Sequence, residues 1–151
     1  MRKRFGAAVL CLAAVLWGAA QDGPPPGKAT LQERAEKGDA QAEFTLGTLF
    51  EAGRSGRKKD FLQAEHWYRL SAEHGNPFAQ ASLGILYRFG KGVHQDYVEA
   101  YKWFSIAAAG MQGSDRDSVA EMRDFAAKRM TPQQIEEARQ RASSWKPVEK
   151  K

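Results

Sequence analysis

The stretch GKGVHQDYVEAYKWF, residues 90–104, places a histidine next to carboxylates and so raises the question of catalysis. His94 lies two residues before Asp96, and Glu99 follows three residues later. A histidine beside a carboxylate can act as a general base whose ring the carboxylate orients. A structural interpretation competes with this one. Asp96 is also well placed to begin a helix as its N-cap, and the glycines before it are typical of a turn.

The other histidines do not form a recognisable site. His66 and His74 lie eight residues apart on one predicted helix, beyond the one-turn spacing of a helical metal pair. His74 precedes a helix-ending glycine, where a partly cationic ring suits the helix dipole. The sequence contains no nucleophile motif, phosphate loop or zinc signature. We therefore expect no catalytic residue, no cofactor and no metal site.

The segments that carry these residues occur twice. GDAQAEFTLGTLFEAG, residues 38–53, aligns with GNPFAQASLGILYRFG, residues 75–90, and DFLQAEHWYRLSA, residues 60–72, aligns with DYVEAYKWFSIAA, residues 96–108. The shift is 37 positions in the first alignment and 36 in the second, so the first copy has one extra loop residue. Repetition at this period is typical of a helical solenoid.

Each copy is predicted to be a helical hairpin, because capping residues stand at equivalent places. Asp39 and Asp60 are the predicted N-caps of the first copy, and Asn76 and Asp96 those of the second. A glycine follows the first helix of each copy, as expected for a helix end.

Aromatic residues and glycines recur on the faces that should be buried. Trp67-Tyr68 and Trp103-Phe104 occupy equivalent positions, which favours core packing over a platform for sugars or bases. Gly47 and Gly84 recur in mid-helix, where glycine costs roughly 1 kcal/mol relative to alanine. We therefore expect these glycines to allow close approach of paired helices.

Further helices are predicted on both sides of the two copies. Thr30 and Glu33 have capping-box spacing, which predicts a short helix before the first copy. Ser114 and Asp117 have the same spacing, and TPQQ from Thr131 combines a cap, a proline at the first helical position and a glutamine at the third. Because two repeats alone bury too little surface, we expect this C-terminal helix pair to supply a third unit that closes the stack.

The first 30 residues differ in composition from the rest. A basic start precedes the apolar, uncharged residues 5–20, and Gly18-Ala19-Ala20 offers the small residues that signal peptidase requires. We expect residues 1–20 to be a cleaved signal peptide. An uncleaved anchor is the alternative, although the run of 16 residues is shorter than the roughly 20 that span a bilayer. Residues 21–30 form a Pro/Gly-rich linker. The expected location is the periplasm or the exterior.

Cleavage would change the charge and the cysteine content. The chain has 23 Lys and Arg against 18 Asp and Glu, a net charge of +5. Loss of three basic residues with the signal peptide leaves 20 Lys and Arg against 18 Asp and Glu, a net charge of +2. This small net charge argues against nucleic-acid binding. Cys11, the only cysteine, would leave as well, so no disulfide is expected. A lipid anchor at Cys11 is disfavoured because Leu10 stands where a small residue is expected.

Both copies share the pattern LG-x-L-[FY]-x-x-G, a Gly-containing loop, and then D-[FY]-x-x-A-x-x-W-[YF]-x-x-x-A. This pattern resembles the SEL-1-like repeat, a relative of the tetratricopeptide repeat. Glu43 and Gln80 stand where the tetratricopeptide pattern expects tryptophan, which favours the SEL-1-like class. The resemblance covers about residues 35–147. We predict a domain over 31–147, with repeats at about 38–74 and 75–110, helices at about 114–145 and a polar tail over 148–151.

The resemblance implies an all-α solenoid that works as a non-catalytic adaptor in the bacterial envelope. Its partners would be proteins of unknown identity, without nucleic acid and without stable membrane insertion. A cysteine-rich branch of the family carries disulfides that this chain lacks, so the associations of that branch do not extend to it. An envelope enzyme or hydrolase is one alternative. A binder of an anionic envelope ligand is another.

Candidate interaction residues fall in two groups. The longer loop of the first copy holds four cations in six residues, which either attract an acidic partner or anionic lipid or are merely solvated. A solenoid usually binds partners on its concave face, and three helical residues are predicted to point outward. The two groups are Arg54, Arg57, Lys58 and Lys59 in the loop, and Gln80, Arg88 and Phe89 on the helix.

Overall fold

The computed structural model describes residues 29–149, which fold into seven α-helices and no β-strand. The all-α prediction is confirmed. The predicted signal peptide and most of the predicted linker lie outside the described residues. The helices are α1 (Leu31–Glu36), α2 (Ala40–Ala52), α3 (Phe61–Glu73), α4 (Pro77–Phe89), α5 (Tyr97–Gly110), α6 (Gly113–Ala127) and α7 (Pro132–Ser144).

The predicted caps of the two hairpins, α2–α3 and α4–α5, are confirmed. In each of the four helices, one side-chain oxygen of the N-cap accepts the backbone N–H groups two and three residues further on, at 2.8–3.2 Å. These caps are Asp39, Asp60, Asn76 and Asp96. The first helix of each hairpin ends at a left-handed glycine, Gly53 or Gly90. The short helix predicted before the first copy is α1.

The predicted capping box at Ser114 is wrong. α6 begins at Gly113, and its N-cap, Gln112, makes no side-chain capping hydrogen bond. Only two residues separate α5 from α6, so the helix has already started when the chain reaches Ser114. The box at Thr131 is confirmed: Thr131 Oγ1 accepts from the Gln134 amide at 3.2 Å, and the Thr131 amide donates to Gln134 Oε1 at 2.8 Å.

The two repeated glycines allow close packing within the hairpins, as predicted. A Cβ on Gly47 would lie 2.5 Å from the Tyr68 ring, and one on Gly84 would lie 2.7 Å from the Phe104 ring. Both rings are fully buried. The Tyr68 hydroxyl donates to Glu51 at 2.7 Å. Burial and this bond raise the pKa of Tyr68 far above its usual value, so Tyr68 stays neutral in the core.

Replacing Gly84 with alanine should lower the free energy of unfolding by up to about 2 kcal/mol. Overpacking a buried site costs about 1–3 kcal/mol, whereas the helix propensity of alanine returns about 1 kcal/mol. Urea denaturation measures the balance. The equivalent change, Gly47→Ala, should have the same sign. A gain in stability of about 1 kcal/mol, as propensity alone would give, would contradict the packing role.

The last two helices do not form a third hairpin of the repeat type. α6 packs against α5 and extends the stack, but α7 packs on α5 rather than on α6. Beyond α7 the chain runs back along the domain: the Trp145 ring lies 6.2 Å from the Trp103 ring, and the Val148 amide donates to the Glu73 carbonyl at 2.8 Å. The expectation of a third stacked unit therefore holds for α6 only.

Candidate interaction surface

The histidine and the aspartate that suggested catalysis do not form a pair. Asp96 Oδ1 accepts the amides of Val98 and Glu99 at 2.8 and 3.1 Å and caps α5. His94 is exposed, and no hydrogen bond or ion pair found within residues 29–149 includes it. Glu99 forms ion pairs with Lys102 and with Arg141 of α7, each at 2.8 Å. The stretch is therefore a capped turn.

The change Asp96→Ala should lower the free energy of unfolding by about 1 kcal/mol, the usual cost of losing an N-cap. Chemical denaturation measures this, with His94→Ala as the control that should change nothing, since His94 is exposed. Unchanged stability of Asp96→Ala, together with loss of some activity, would contradict the capping role and restore the catalytic interpretation.

The turn after α4 is docked on the preceding hairpin. Gly92 has a φ of +70°, and a Cβ there would lie 2.3 Å from the Phe61 carbonyl oxygen at the start of α3. The equivalent loop of the first copy makes no such contact: Gly56 has a φ of +74° and nothing within 4 Å of an added Cβ. The second loop, with Lys91, is therefore held against the first hairpin.

A buried histidine–carboxylate pair exists elsewhere. Glu43 Oε2 lies 2.8 Å from His74 Nδ1, and Glu43 is 1% exposed. His74 is the C-cap residue of α3, so the pair joins the end of α3 to α2. The cavity beside it, of about 440 Å³, is lined by ten described residues, none of them serine, threonine or cysteine. The pair lacks an adjacent nucleophile and is best explained as a structural link.

The pair of Glu43 and His74 was not predicted from the sequence, and the prediction that Gln80 points outward is wrong. The two partners, Glu43 and His74, are 31 residues apart, and no local pattern connects them. Gln80, predicted to point outward, is 2% exposed, and its Nε2 donates to the Ala72 carbonyl at 3.1 Å. Its position in α4 faces the end of α3. Glu43 occupies the equivalent position in α2 and reaches the same end of α3. A polar residue therefore recurs at this position in both copies, and this recurrence is the sequence signal that could have identified the two contacts.

The four cations of the first loop do not act as one group. The Arg57 guanidinium lies 5.2 Å from the centroid of the Phe50 ring, and Lys59 Nζ lies 5.0 Å from that of Phe61. Arg54 and Lys58 are exposed, and neither contacts a ring or an acid within the described part of the chain. Lys59 is exposed as well, but Lys59 and Arg57 each lie over a ring, whereas Arg54 and Lys58 do not contact one among the described residues.

Cations and phenylalanines from three parts of the chain alternate across one surface. Lys59 and Lys91 contact Phe61 at 5.0 and 5.3 Å, Lys91 and Arg88 contact Phe89 at 5.5 and 4.8 Å, and Arg88 and Arg129 contact Phe125 at 4.0 and 5.9 Å. We call this series the cation–aromatic ladder. In order it comprises Lys59, Phe61, Lys91, Phe89, Arg88, Phe125 and Arg129. It includes the predicted candidates Lys59, Arg88 and Phe89.

The ladder groups four positive charges within a domain that carries no net charge overall. Residues 29–149 contain 17 Lys and Arg and 17 Asp and Glu. Ion pairs found among these residues involve other cations, namely Arg34, Arg69, Lys102, Arg123 and Arg141. The four ladder cations make none. Two of its rings, Phe89 and Phe125, are 54% and 40% exposed. Such a surface is suited to an anionic, partly apolar partner.

A cavity of about 810 Å³ lies between α5, α6 and α7. Its polar groups already have partners. Arg123 forms an ion pair with Asp124 at 2.7 Å, and Arg139 donates to the Tyr101 hydroxyl at 3.3 Å. Because its cations are engaged, this cavity is a weaker candidate for recognition of an anionic group than the ladder.

Repeated antiparallel hairpins with glycine–aromatic contacts define the chain as an α-helical solenoid. The Sel1 repeat model matches residues 40–76 and 77–110, so the chain contains two Sel1 repeats. Proteins with these repeats generally serve as protein-interaction, adaptor or regulator modules.

Three similar proteins illustrate the range of the family. The ERAD-associated E3 ubiquitin-protein ligase component HRD3A of Arabidopsis thaliana is 33% identical over 62 residues, which are 41% of this chain and 9% of that protein. The exopolysaccharide production negative regulator of Rhizobium meliloti is 36% identical over 78 residues, 51% of this chain and 27% of the regulator. A protective antigen of uropathogenic Escherichia coli with an SLR fold superposes with a TM-score of 0.68 at 34% identity, covering 76% of this chain and 24% of the antigen. The chain thus spans a small part of each.

None of the helices within residues 29–149 is both long enough and apolar enough to cross a membrane.

Proposed function

We propose that this protein is a non-catalytic adaptor that binds a protein partner through the cation–aromatic ladder. One observation carries the proposal: four cations that form no ion pair within residues 29–149 alternate with three phenylalanines on a surface built from both repeats and α6. Exposed phenylalanines and unpaired cations in contact contribute little to folding, so their grouping is better explained by recognition. The general role of Sel1-repeat proteins supports this.

We propose further that the adaptor acts in the bacterial envelope. The support is sequence composition: a basic start, an uncharged apolar run of 16 residues and small residues before Gln21, as in a secretory signal peptide. Amino-terminal sequencing of the protein isolated from cells tests this directly. A mature chain beginning at Gln21 is the expected result. A protein that retains Met1 and sediments with membranes would support the anchor instead.

Crosslinking in intact cells, followed by identification of the captured proteins, tests the adaptor role. We expect the mature chain to yield a discrete protein adduct. A chain that captures nothing and turns over a cell-wall substrate would establish the rival enzyme, with Glu43 and His74 as the residues to examine.

Binding of an anionic envelope ligand through the first loop is the second candidate, because Arg54 and Lys58 are exposed and make no ion pair within the described residues. Reversing the charge of Arg57, Lys58 and Lys59 should then abolish polymer binding. Unchanged binding would exclude the loop.

A further inference from the structure

The geometry of the cation–aromatic ladder points to a particular class of partner. We propose that it binds an extended, acidic protein segment with carboxylates at about every third residue and apolar side chains between them. This inference rests on the adaptor function proposed above. It assigns the partner chemistry to residues of three elements, and it excludes Arg54 and Lys58, the exposed cations of the first loop.

The spacing of the cations supports an extended segment. Successive cations share one ring: Lys59 and Lys91 share Phe61, Lys91 and Arg88 share Phe89, and Arg88 and Arg129 share Phe125. Each cation–ring distance is between 4.0 and 5.9 Å, so neighbouring cations lie at most about 10 Å apart. Three residues of polyproline II chain cover about 9 Å. Carboxylates three residues apart fall within this upper limit, so a segment with four of them is long enough to reach all four cations.

The phenylalanines favour a protein segment over a purely anionic polymer. Phe89 and Phe125 are 54% and 40% exposed, and a phenyl ring provides apolar area without a polar group for hydrogen bonding to a sugar or a phosphate. A peptide can supply apolar side chains between its carboxylates, whereas polyphosphate cannot. Contact with apolar side chains would give the ladder a second source of affinity, beside charge.

The charge balance of the domain favours a linear partner over a membrane surface. Residues 29–149 carry 17 basic and 17 acidic residues, so the domain has no net charge that attracts it to an anionic bilayer, and its acidic residues are repelled by one. The ladder also depends on the docked turn at Gly92, which holds Lys91 beside Phe61. This local and pre-arranged row of cations is suited to a single chain laid along it.

A fluorescent decapeptide with the sequence ESFESFESFE provides a direct test by fluorescence anisotropy. We expect it to bind the mature chain, and to bind more weakly at higher ionic strength because exposed charges are screened. Two peptides are the controls. QSFQSFQSFQ lacks the charge, and EEEESFSFSF keeps the composition but loses the spacing. Both should bind at least about tenfold more weakly. Equal binding of ESFESFESFE and EEEESFSFSF would overturn the spacing argument.

Variants of the chain identify the surface. The double change Arg88→Glu and Lys91→Glu should weaken binding of ESFESFESFE at least about tenfold, since attraction is replaced by repulsion. The matched double change Arg54→Glu and Lys37→Glu alters the net charge equally and should leave binding within about twofold, because both residues are exposed, neither contacts a ring of the ladder, and exposed charges are screened beyond a Debye length. Far-ultraviolet circular dichroism melts check that both remain folded. Equal effects of the two pairs would overturn the proposal.

Two other kinds of anion test whether the ladder binds an anionic polymer or a membrane instead of a protein segment. Inorganic polyphosphate and vesicles of phosphatidylglycerol with phosphatidylcholine are tested on the same variants. Ladder-dependent binding to either one, without binding of ESFESFESFE, would overturn the proposal in favour of an anionic polymer or a membrane. The proposed function can fail or survive separately: if ladder variants still capture their protein partner in intact cells, the adaptor stands and the assignment of the ladder is wrong.

Discussion

Replacing Phe104 with alanine should lower the free energy of unfolding by about 3–5 kcal/mol, the usual cost of removing a buried phenyl ring. Phe104 is fully buried and lies against Gly84 of α4. It belongs to a core cluster that also includes Ala81 of α4 and Val119 of α6. A ring at this position fills the junction between the second hairpin and α6, and the rigid helix pair can collapse only partly around the space left behind.

An exposed phenylalanine is the matched control for this change. Phe89→Ala removes a side chain that is 54% exposed, so we expect a loss of about 1 kcal/mol or less, most of it from its contacts with Arg88 and Lys91. Urea titrations with an unchanged m-value compare the two variants. Since small domains are stable by only about 5–15 kcal/mol, Phe104→Ala should be partly unfolded on warming. Similar losses for the two variants would contradict the packing account.

Replacing Gly92 with alanine should cost about 2–5 kcal/mol, the second largest effect that we expect. A left-handed backbone costs a residue with a Cβ about 1–2 kcal/mol, and overpacking adds about 1–3 kcal/mol. The added Cβ would lie 2.3 Å from the Phe61 carbonyl oxygen. Backbone atoms cannot rotate away as a flexible side chain can, so the turn must leave its place on the first hairpin.

Gly56 separates the two contributions to this loss. It has nearly the same φ as Gly92, +74° against +70°, but nothing lies within 4 Å of an added Cβ. Gly56→Ala should therefore cost only the backbone strain, about 1–2 kcal/mol. Gly92→Ala should also weaken peptide binding, because Lys91 would move away from Phe61. An equal loss of stability for Gly56→Ala and Gly92→Ala would contradict docking of the turn.

Features fixed by neighbouring residues were predictable from the sequence. The caps at Asp39, Asp60, Asn76 and Asp96 follow from the residue type and its distance to the next apolar position. The glycine–aromatic contacts followed from recurrence, because the same two positions hold small and large residues in both copies. The box at Ser114 failed because the short connection after α5 starts the next helix first.

Features that depend on how one hairpin meets the next were not predictable. Gln80 was predicted to be exposed because its face of α4 is covered only when α3 packs beside it. Lys91 entered the ladder because its turn docks on Phe61, about 30 positions earlier in the chain. Phe125 lies in α6 and Arg129 follows the end of that helix, in a part of the chain whose sequence no longer repeats. Spacing along a chain does not specify the angle between successive hairpins, and that angle assembles the ladder.

Site-specific photocrosslinking in intact cells tests most directly the central claim that this protein works by binding a partner on the ladder. A photoreactive phenylalanine analogue at Phe89 is compared with the same analogue at Gln41, an exposed position near the start of α2. Gln41 lies one helix length, about 18 Å, from the end of the α2–α3 hairpin that carries Lys59 and Phe61 of the ladder. The account predicts a discrete protein adduct at position 89 that is lost with Lys91→Glu, and none at position 41. Adducts at position 41 alone, or an adduct at 89 unaffected by Lys91→Glu, would contradict it.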